Sequence, residues 1–409
     1  MLNIIWICFF FTAFAIALFK LVFLGDQQVF ADLMAALFSL SKSAFEISLG
    51  LTGVLSLWLG IMRIGEKSGF ILLLTKGLTP LFSRLMPDVP KDHPALGAIV
   101  MNIAANALGL DNAATPLGIK AMKELQSLNT TPEVASNAQI LFLVINTSSV
   151  TLFPVTILTY RAQLGAANPS DVFIPILIAT YMSTLAGLLA VAAMQKINLL
   201  DKTVLTYLGG FTLAIGSLLG YFAGLPQQQM LEQSAALSNL MLFSLVITFI
   251  GGAVYKGINA YDAFIEGAKE GFHTAISIFP YLIAMLVAIG VFRASGALDL
   301  IAGLMRDLVH WFAWDDRFVD GLPTALIKPF SGSGARAMMI DTMKTHGADS
   351  FAGRLSCIIQ GSTETTFYVL AIYFGSVGIK RIRHAAGCGI IADFAGVVAS
   401  VLITYWFFG

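Results

Sequence analysis

Two apolar segments of membrane length are each interrupted by a short polar run, at residues 146–149 and at residues 360–365. Polar groups at membrane depth are tolerated where they are buried in protein or line a cavity. An unwound helix there would release carbonyl and N–H groups that can ligate a cation or a polar solute. Helical Ser and Thr can instead donate their hydroxyls to the preceding turn. The solute-binding candidates in these runs are Asn146, Thr147, Ser148, Gln360, Ser362 and Thr363.

Glu364, in the second run, is the side chain with the clearest chemical role. An ionised carboxylate at mid-membrane is costly, so it is expected to be paired, bound to a cation, or protonated. Either of the last two states would make Glu364 the residue that couples transport to sodium or protons. A fixed salt bridge with Arg336 or Arg354 is the structural alternative. Asp341 and Asp393 are weaker ion-coupling candidates.

Two further polar clusters surround Gly-containing turns, at residues 102–116 and 328–337. In the first, Asp111 or Asn112 can cap a helix, whereas Asn102 and Asn106 share one helical face. In the second, a Gly/Ser turn opens a helix whose N-terminus can hold an anionic group, and a Ser cap on a tight turn is the alternative. The solute-binding candidates here are Asn102, Asn106, Asn112, Thr115, Ser331 and Ser333.

The composition excludes an ordinary soluble domain. Hydrophobic residues make up 57% of the 409 positions and charged residues 12%, with zero net charge. The chain therefore has no basic surface typical of nucleic-acid binding. Its three cysteines and five histidines are scattered, so we expect no metal site and no cofactor beyond a coupling Na⁺ or H⁺. ATP-loop and zinc-protease or serine-hydrolase motifs are absent from the sequence, so an enzyme is not expected.

Hydropathy predicts an all-α polytopic membrane protein with about nine transmembrane helices. The predicted spans are 2–24, 45–64, 136–160, 171–195, 203–223, 236–257, 274–293, 351–376 and 388–408. Residues 28–44 and 258–272 are amphipathic and are expected to be helices lying along the membrane interface. Residues 93–128 and 317–348 are each expected to form a re-entrant hairpin.

The two halves of the chain align with each other in order. The run 60–63 matches 290–293, 119–123 matches 340–344, and 145–153 matches 359–367, which places Val150 opposite Glu364. We therefore predict one repeat at 1–198, a connecting helix and loop at 199–235, and a second repeat at 236–409.

Lys and Arg placement predicts the orientation, because cytoplasmic loops carry an excess of these residues. The 63–91 connection and residues 196–202 are basic, whereas 224–235 has no Lys or Arg. The predicted topology has a cytoplasmic N-terminus and an outside C-terminus in a bacterial inner membrane. Corresponding loops then face opposite sides, which makes the repeats inverted.

The residues also resemble two known families. The run 106–122 is similar to spore maturation protein A, and the runs 329–336, 349–354 and 360–378 are similar to spore maturation protein B. The resemblance covers nearly the whole chain. It implies a fused A–B protein with one nucleoside recognition (Gate) domain per half, related to half of a concentrative nucleoside transporter. By similarity, both hairpin tips and both unwound helices would surround the solute.

We therefore expect a secondary active transporter that moves a nucleoside, amino acid or small organic anion by alternating access. A membrane scaffold or assembly factor for envelope maturation, without transport, is the alternative. The expected partners are the small solute and the lipid bilayer, without nucleic acid. The expected interfacial helices suggest a homodimer.

Overall fold

The computed structural model describes residues 2–108, 111–148 and 151–409, and within them the fold is all-α. The first eight helices are α1 (Leu2–Phe23), α2 (Val29–Lys67), α3 (Phe70–Leu85), α4 (Pro94–Ala107), α5 (Asp111–Ser127), α6 (Asn137–Thr147), α7 (Val155–Gln163) and α8 (Phe173–Gln195). The helix α9 (Lys202–Ala223) follows. The last eight are α10 (Gln227–Tyr255), α11 (Ala260–Ala294), α12 (Ala297–Trp311), α13 (Leu322–Ile327), α14 (Gly332–His346), α15 (Phe351–Ser362), α16 (Thr366–Ser376) and α17 (Ala385–Phe408).

The chain is a multi-pass membrane protein. Seven helices in the described ranges are long and apolar enough to cross a bilayer, namely α1, α2, α8, α9, α10, α11 and α17. The predicted spans 136–160 and 351–376 each contain two shorter helices in series, α6 with α7 and α15 with α16. The seven membrane-length helices confirm the all-α polytopic fold predicted from hydropathy.

Two short helical hairpins accompany the spans. Hairpin 1 consists of α4 and α5, and hairpin 2 consists of the 3-10 turn Val319–Gly321, α13 and α14. At 14 residues, α4 is about 21 Å long, less than the ~30 Å hydrocarbon core. The Asn102 side chain joins the arms of hairpin 1 by donating to the Ala114 carbonyl at 2.7 Å. These elements have the length and connectivity of re-entrant hairpins.

The expectation of separate interfacial helices at 28–44 and 258–272 is wrong. Both segments are the first parts of continuous helices, α2 with 39 residues and α11 with 35. Polar side chains lower the hydropathy of these segments but do not break a helix, and no turn separates them from the apolar part. The prediction of a homodimer loses the support that it drew from those helices.

The helices α2 and α11 occupy equivalent places in the two halves and pack along each other. Gly271 of α11 lies against Ser56, since a Cβ added at Gly271 would be 2.6 Å from the Ser56 Cα. Further along α11, Gly290 lies against Leu40. Residue numbers that increase along α11 thus pair with residue numbers that decrease along α2, so the two helices are antiparallel.

The equivalent helices α8 and α17 show the same arrangement. Gly187 of α8 approaches Ala392, and Gly396 of α17 approaches Ser183. The Ser183 hydroxyl also donates to the Ala392 carbonyl at 2.9 Å. Because both pairs of equivalent helices run antiparallel, the two halves have inverted topology.

Local sequence determines where the half-helices begin and end. Ser136 forms a capping box with Gln139 at the start of α6, and Ser350 caps α15 by accepting from the Gly353 N–H. Pro154, which lacks an N–H, precedes α7. The helix α15 ends where Thr363 adopts an extended conformation with φ −144°. The break between α15 and α16 therefore comprises residues 363–365, and the described part of the break between α6 and α7 comprises 148 and 151–154.

Candidate functional site

Each hairpin tip is hydrogen-bonded to the break in its own half. In the first half, the Leu152 N–H donates to the Ala107 carbonyl at 2.9 Å. In the second, the Phe367 N–H donates to the Pro329 carbonyl, also at 2.9 Å. Phe330 stacks on Phe367 with ring centroids 5.1 Å apart. The two halves therefore hold their hairpin tips against their unwound segments in the same way.

The two breaks also contact each other. The backbone N–H of Glu364 donates to the Thr147 carbonyl at 2.8 Å. Thr147 lies at the end of α6 and is fully buried, whereas Glu364 is half-buried. This bond brings the polar parts of both halves to one place at the centre of the fold.

Three cavities meet at this junction, and Arg336 and Glu364 line all three. The largest, cavity A, has about 710 Å³ and lies beside the tip of hairpin 2. Cavity B, with about 290 Å³, lies beside hairpin 1 and the C-terminal end of α6. Cavity C, with about 70 Å³, is lined by residues of both breaks. Pockets for small ligands typically have 300–1,000 Å³, so the space suits a small solute.

Cavity B brings together candidates from hairpin 1 and from the last turn of α6. Asn106 and Asn146 line it and are joined to each other, since the Asn106 side-chain amide donates to the Asn146 oxygen at 2.9 Å. Thr115 lines the same cavity with an exposed side chain. Asn102 lies behind Asn106, is fully buried, and supports the hairpin. The side chain of Asn112 lies outside the described residues, as do Ser149 and Val150.

Cavity A brings in hairpin 2. Ser331 and Ser333 line it, together with Gly332 and the second break. Ser331 is the N-cap of α14, because its hydroxyl accepts from the Gly334 N–H at 2.9 Å. The capping interpretation is thus confirmed for Ser331, and the cap places the N-terminus of α14 at the cavity wall. A helix N-terminus carries partial positive charge and favours anionic groups.

Cavity C is lined by Gln360 and Thr363 from the second half-helix pair. Three other candidates are buried with their hydroxyls turned to their own helices. Thr147 donates to the Val144 carbonyl, Ser148 to the Ile145 carbonyl, and Ser362 to the Ile359 carbonyl, at 2.9–3.0 Å. These hydroxyls therefore follow the alternative prediction, in which they donate to the preceding turn of their own helix. The three side chains do not line the three cavities.

The three acidic candidates have different surroundings. Among the described residues, the Glu364 carboxylate accepts one hydrogen bond, from the Thr365 N–H at 3.3 Å. Asp341 forms an ion pair with Arg293 at 2.5 Å on a later turn of α14, away from the cavities. Asp393 is buried in α17. Arg354, one of the two expected partners of Glu364, is instead bound to Asp171 at 2.8 Å.

The sequence pattern indicates Arg336 only as a salt-bridge partner, and it assigns no separate role to Lys328 within the cluster 328–337. Arg336 lies one turn beyond Ser333, which places it on the cavity side of α14. Lys328 precedes the hairpin tip and lines cavity C with its side chain buried. Their basic residue types, next to a Gly/Ser turn at membrane depth, were the available signal.

Comparison with known proteins identifies the family. The Gate family model, described as nucleoside recognition, matches residues 48–164 and 275–380. These segments run from α2 to α7 and from α11 to α16, and they cover more than half of the chain. The chain belongs to the nucleoside-recognition (Gate) family. Both matched segments contain a hairpin and the break that contacts it.

Two relatives from Bacillus subtilis (strain 168) confirm the fused arrangement expected for this Gate-family chain. Spore maturation protein B is 45% identical over 175 residues, which are 42% of this chain and 97% of that protein. Spore maturation protein A is 40% identical over 189 residues, which are 46% of this chain and 93% of that protein. The chain is thus a fused A/B-like protein.

A solved structure of CNTnw in an outward-facing state also matches. It is 14% identical, and the alignment covers 92% of this chain and 99% of that one. Its TM-score of 0.17 is too low for any conclusion about this chain's fold or site.

Proposed function

We propose that the protein is a secondary active transporter. It moves a small polar solute (a nucleoside, an amino acid or a small organic anion) by alternating access, driven by sodium or protons. The observation that carries this proposal is the junction of cavities A, B and C, where both breaks and both hairpins converge on Arg336 and Glu364. A solute in this space would contact both inverted halves at once, as the midplane sites of transporters do.

The walls of the junction favour a solute with an anionic or strongly polar part. The N-terminus of α14 and Arg336 both contribute positive potential to cavity A. Asn106, Asn146 and Thr115 offer amide and hydroxyl groups to cavity B. The solute's charged part would lie toward hairpin 2 and its neutral polar part toward hairpin 1.

Glu364 is proposed to carry the coupling. Glu364 lines all three cavities, and its backbone is bonded across the junction to the other half. A cation or proton bound there would remove the electrostatic cost of an acid at membrane depth. The cost would return when the cation left, so binding of the cation and of the solute would favour the same conformation.

Contacts between the hairpin tips and the breaks are suited to opening. The backbone bond that joins each tip to its break is worth about 1 kcal/mol net. One hairpin tip could separate from its break while the other tip stays in contact with its own break. The two inverted repeats could then exchange these two states. We also propose a bacterial inner-membrane location with the N-terminus in the cytoplasm, because the 63–91 connection is basic.

Thermal stabilisation of the purified protein tests the proposal. The panel is uridine, adenosine, glutamate, succinate and inorganic phosphate, each with sodium chloride or choline chloride. A binder at 100 times its dissociation constant stabilises by about 2.7 kcal/mol. Compounds that stabilise are then tested for gradient-driven uptake into liposomes. Absence of stabilisation and of uptake across the panel would favour the scaffold alternative.

A further inference from the structure

Asp393 lies on the face of α17 that is directed at the second break. One turn before it, Gly389 approaches Thr366, since a Cβ on Gly389 would be 2.7 Å from the Thr366 Cγ2. One turn after it, Gly396 approaches the Thr363 Cγ2 at the same distance. Positions three and four residues apart share a helical face, so Asp393 faces the segment between Thr363 and Thr366.

The oxygen atoms at this place make no hydrogen bond of ordinary geometry among the described residues, and the Thr366 side chain is near enough to Asp393 to interact with its carboxylate. These atoms are both carboxylate oxygens of Asp393 and the hydroxyl oxygen of Thr366. Asp393 is 6% exposed and Thr366 is fully buried. A buried carboxylate without a donor is costly, and native proteins usually compensate for it with a proton, a counter-charge or a bound ion.

The C-terminal end of α15 contributes further negative potential next to Asp393. The helix α15 ends at Ser362, one residue before the extended Thr363. The last carbonyls of a helix lack intrahelical donors and carry partial negative charge. Unwound carbonyls and the C-terminal ends of half-helices are typical cation ligands in transporters.

The donor set indicates a monovalent cation. The possible ligands are one carboxylate, one hydroxyl and backbone carbonyls, so all of them are oxygen atoms. The described residues contain no group of three His, Cys, Asp or Glu side chains that could hold a metal ion. Calcium sites in proteins usually use several carboxylates, and imidazole or thiolate ligands are needed for zinc. Sodium, with a single charge and a preference for oxygen, suits one carboxylate, one hydroxyl and backbone carbonyls.

We propose that Asp393, Thr366 and the C-terminal carbonyls of α15 form a sodium site separate from Glu364. Sodium there would stabilise the conformation in which α17 packs on the second break. Its role in driving the solute rests on the proposed transport function, whereas binding of the ion does not. Two charged groups interact with Asp393 from neighbouring elements, Lys328 of hairpin 2 and Glu364 of the break.

The test measures sodium binding without any solute. The apparent Tm of the purified protein is recorded from 0 to about 100 mM sodium chloride, with choline chloride keeping the ionic strength constant. Binding of ²²Na⁺ is measured in parallel. We expect sodium to raise the wild-type Tm by about 3 °C. Asp393→Asn should abolish this shift and the ²²Na⁺ binding, and Thr366→Val should weaken both.

Asp299→Asn, an exposed acid on α12, is the matched control and should keep the full sodium shift. A sodium shift retained by Asp393→Asn would overturn the assignment. So would a wild-type protein that binds no sodium while Asp393→Asn is destabilised equally in sodium and choline, because Asp393 would then be the counter-ion of Lys328. If Asp393→Asn does not fold, loss of ²²Na⁺ binding in folded Thr366→Val supports the site, and unchanged affinity contradicts it. A protein that binds sodium but transports no panel solute would contradict only the proposed function.

Discussion

Replacing Arg161 with Met should be among the most destabilising single changes at the helix ends of this protein. Arg161 is fully buried at the end of α7. Its guanidinium forms ion pairs with Asp171 at 2.8 Å and with Asp349 at 2.9 Å. It also donates to three backbone carbonyls, including that of Ala348 at 2.6 Å. Met preserves much of the side-chain length but none of these interactions.

The structure gives the magnitude of this loss. Breaking a buried ion pair by removing one partner costs about 3–5 kcal/mol, because the remaining charge stays buried. Within the part of the chain that the structure describes, Asp171 would keep Arg354 as its counter-charge. With an unfolding entropy of about 2.1 cal/mol/K per residue, this loss lowers the Tm of a chain of this length by roughly 4–6 °C.

Arg306→Met is the matched control. Arg306 also pairs with two acids, Asp316 and Asp320, but its side chain is 36% exposed. Exposed ion pairs contribute about 0–1 kcal/mol, so this variant should lose about 1 °C or less. The assay is the apparent Tm in detergent at one fixed scan rate. Equal losses in the two variants would refute the reasoning from burial.

The pH dependence of the Arg161→Met variant provides an independent check. Burial raises the pKa of the Asp171 carboxyl, and the charges of Arg161 and Arg354 oppose that rise. Removing Arg161 should raise this pKa further. The folded variant then binds a proton more readily than its unfolded chain, so its deficit against wild type should shrink as the pH falls. A deficit that grows on acidification would contradict this explanation.

Two further predictions concern packing and the hairpin. Gly271→Ala places a Cβ 2.6 Å from the Ser56 Cα, so α2 and α11 should separate at a cost of about 1–3 kcal/mol in stability. Gly251→Ala, with no atom within 4 Å of the added Cβ, should leave the Tm nearly unchanged, and equal losses would contradict the packing. Ser331→Ala and Ser350→Ala each remove an N-cap and should each cost about 1 kcal/mol. Of the two, Ser331→Ala alone should weaken stabilisation by the panel compounds that bind, and equal weakening would exclude hairpin 2 from the site.

The spans and the approximate positions of the breaks were predictable because their signals are local. The predicted bounds of the breaks were wrong, because Asn146 and Thr147 remain in α6 and residues 360–362 remain in α15. Membrane-length apolar runs, the polar runs at 146–149 and 360–365, and the Gly/Ser turn at Ser331 each carry their structural meaning within a few residues. Inversion of the repeats also followed from charge placement, and the antiparallel pairs of equivalent helices confirm it.

The continuity of α2 and the orientation of the polar side chains were not predictable in this way. Hydropathy falls over residues 28–44, but helix continuity depends on backbone hydrogen bonds that polar side chains leave intact. Thr147 and Ser148 are residue types that can bind a solute. Only the fold determines that their hydroxyls donate to carbonyls of α6 instead. The contribution of Arg336 to three cavities likewise arises from tertiary packing.

The most direct test of the central claim is gradient-driven uptake by Glu364→Gln. The wild-type protein, Glu364→Gln or Glu232→Gln is reconstituted into proteoliposomes. Glu232 is an exposed acid on α10 and serves as the control position. Uptake of the panel compound that binds best is measured with and without an inward sodium or proton gradient. We predict that wild type and Glu232→Gln accumulate the compound, whereas Glu364→Gln binds it and exchanges it but does not accumulate it. Accumulation by Glu364→Gln at the wild-type level would contradict the account.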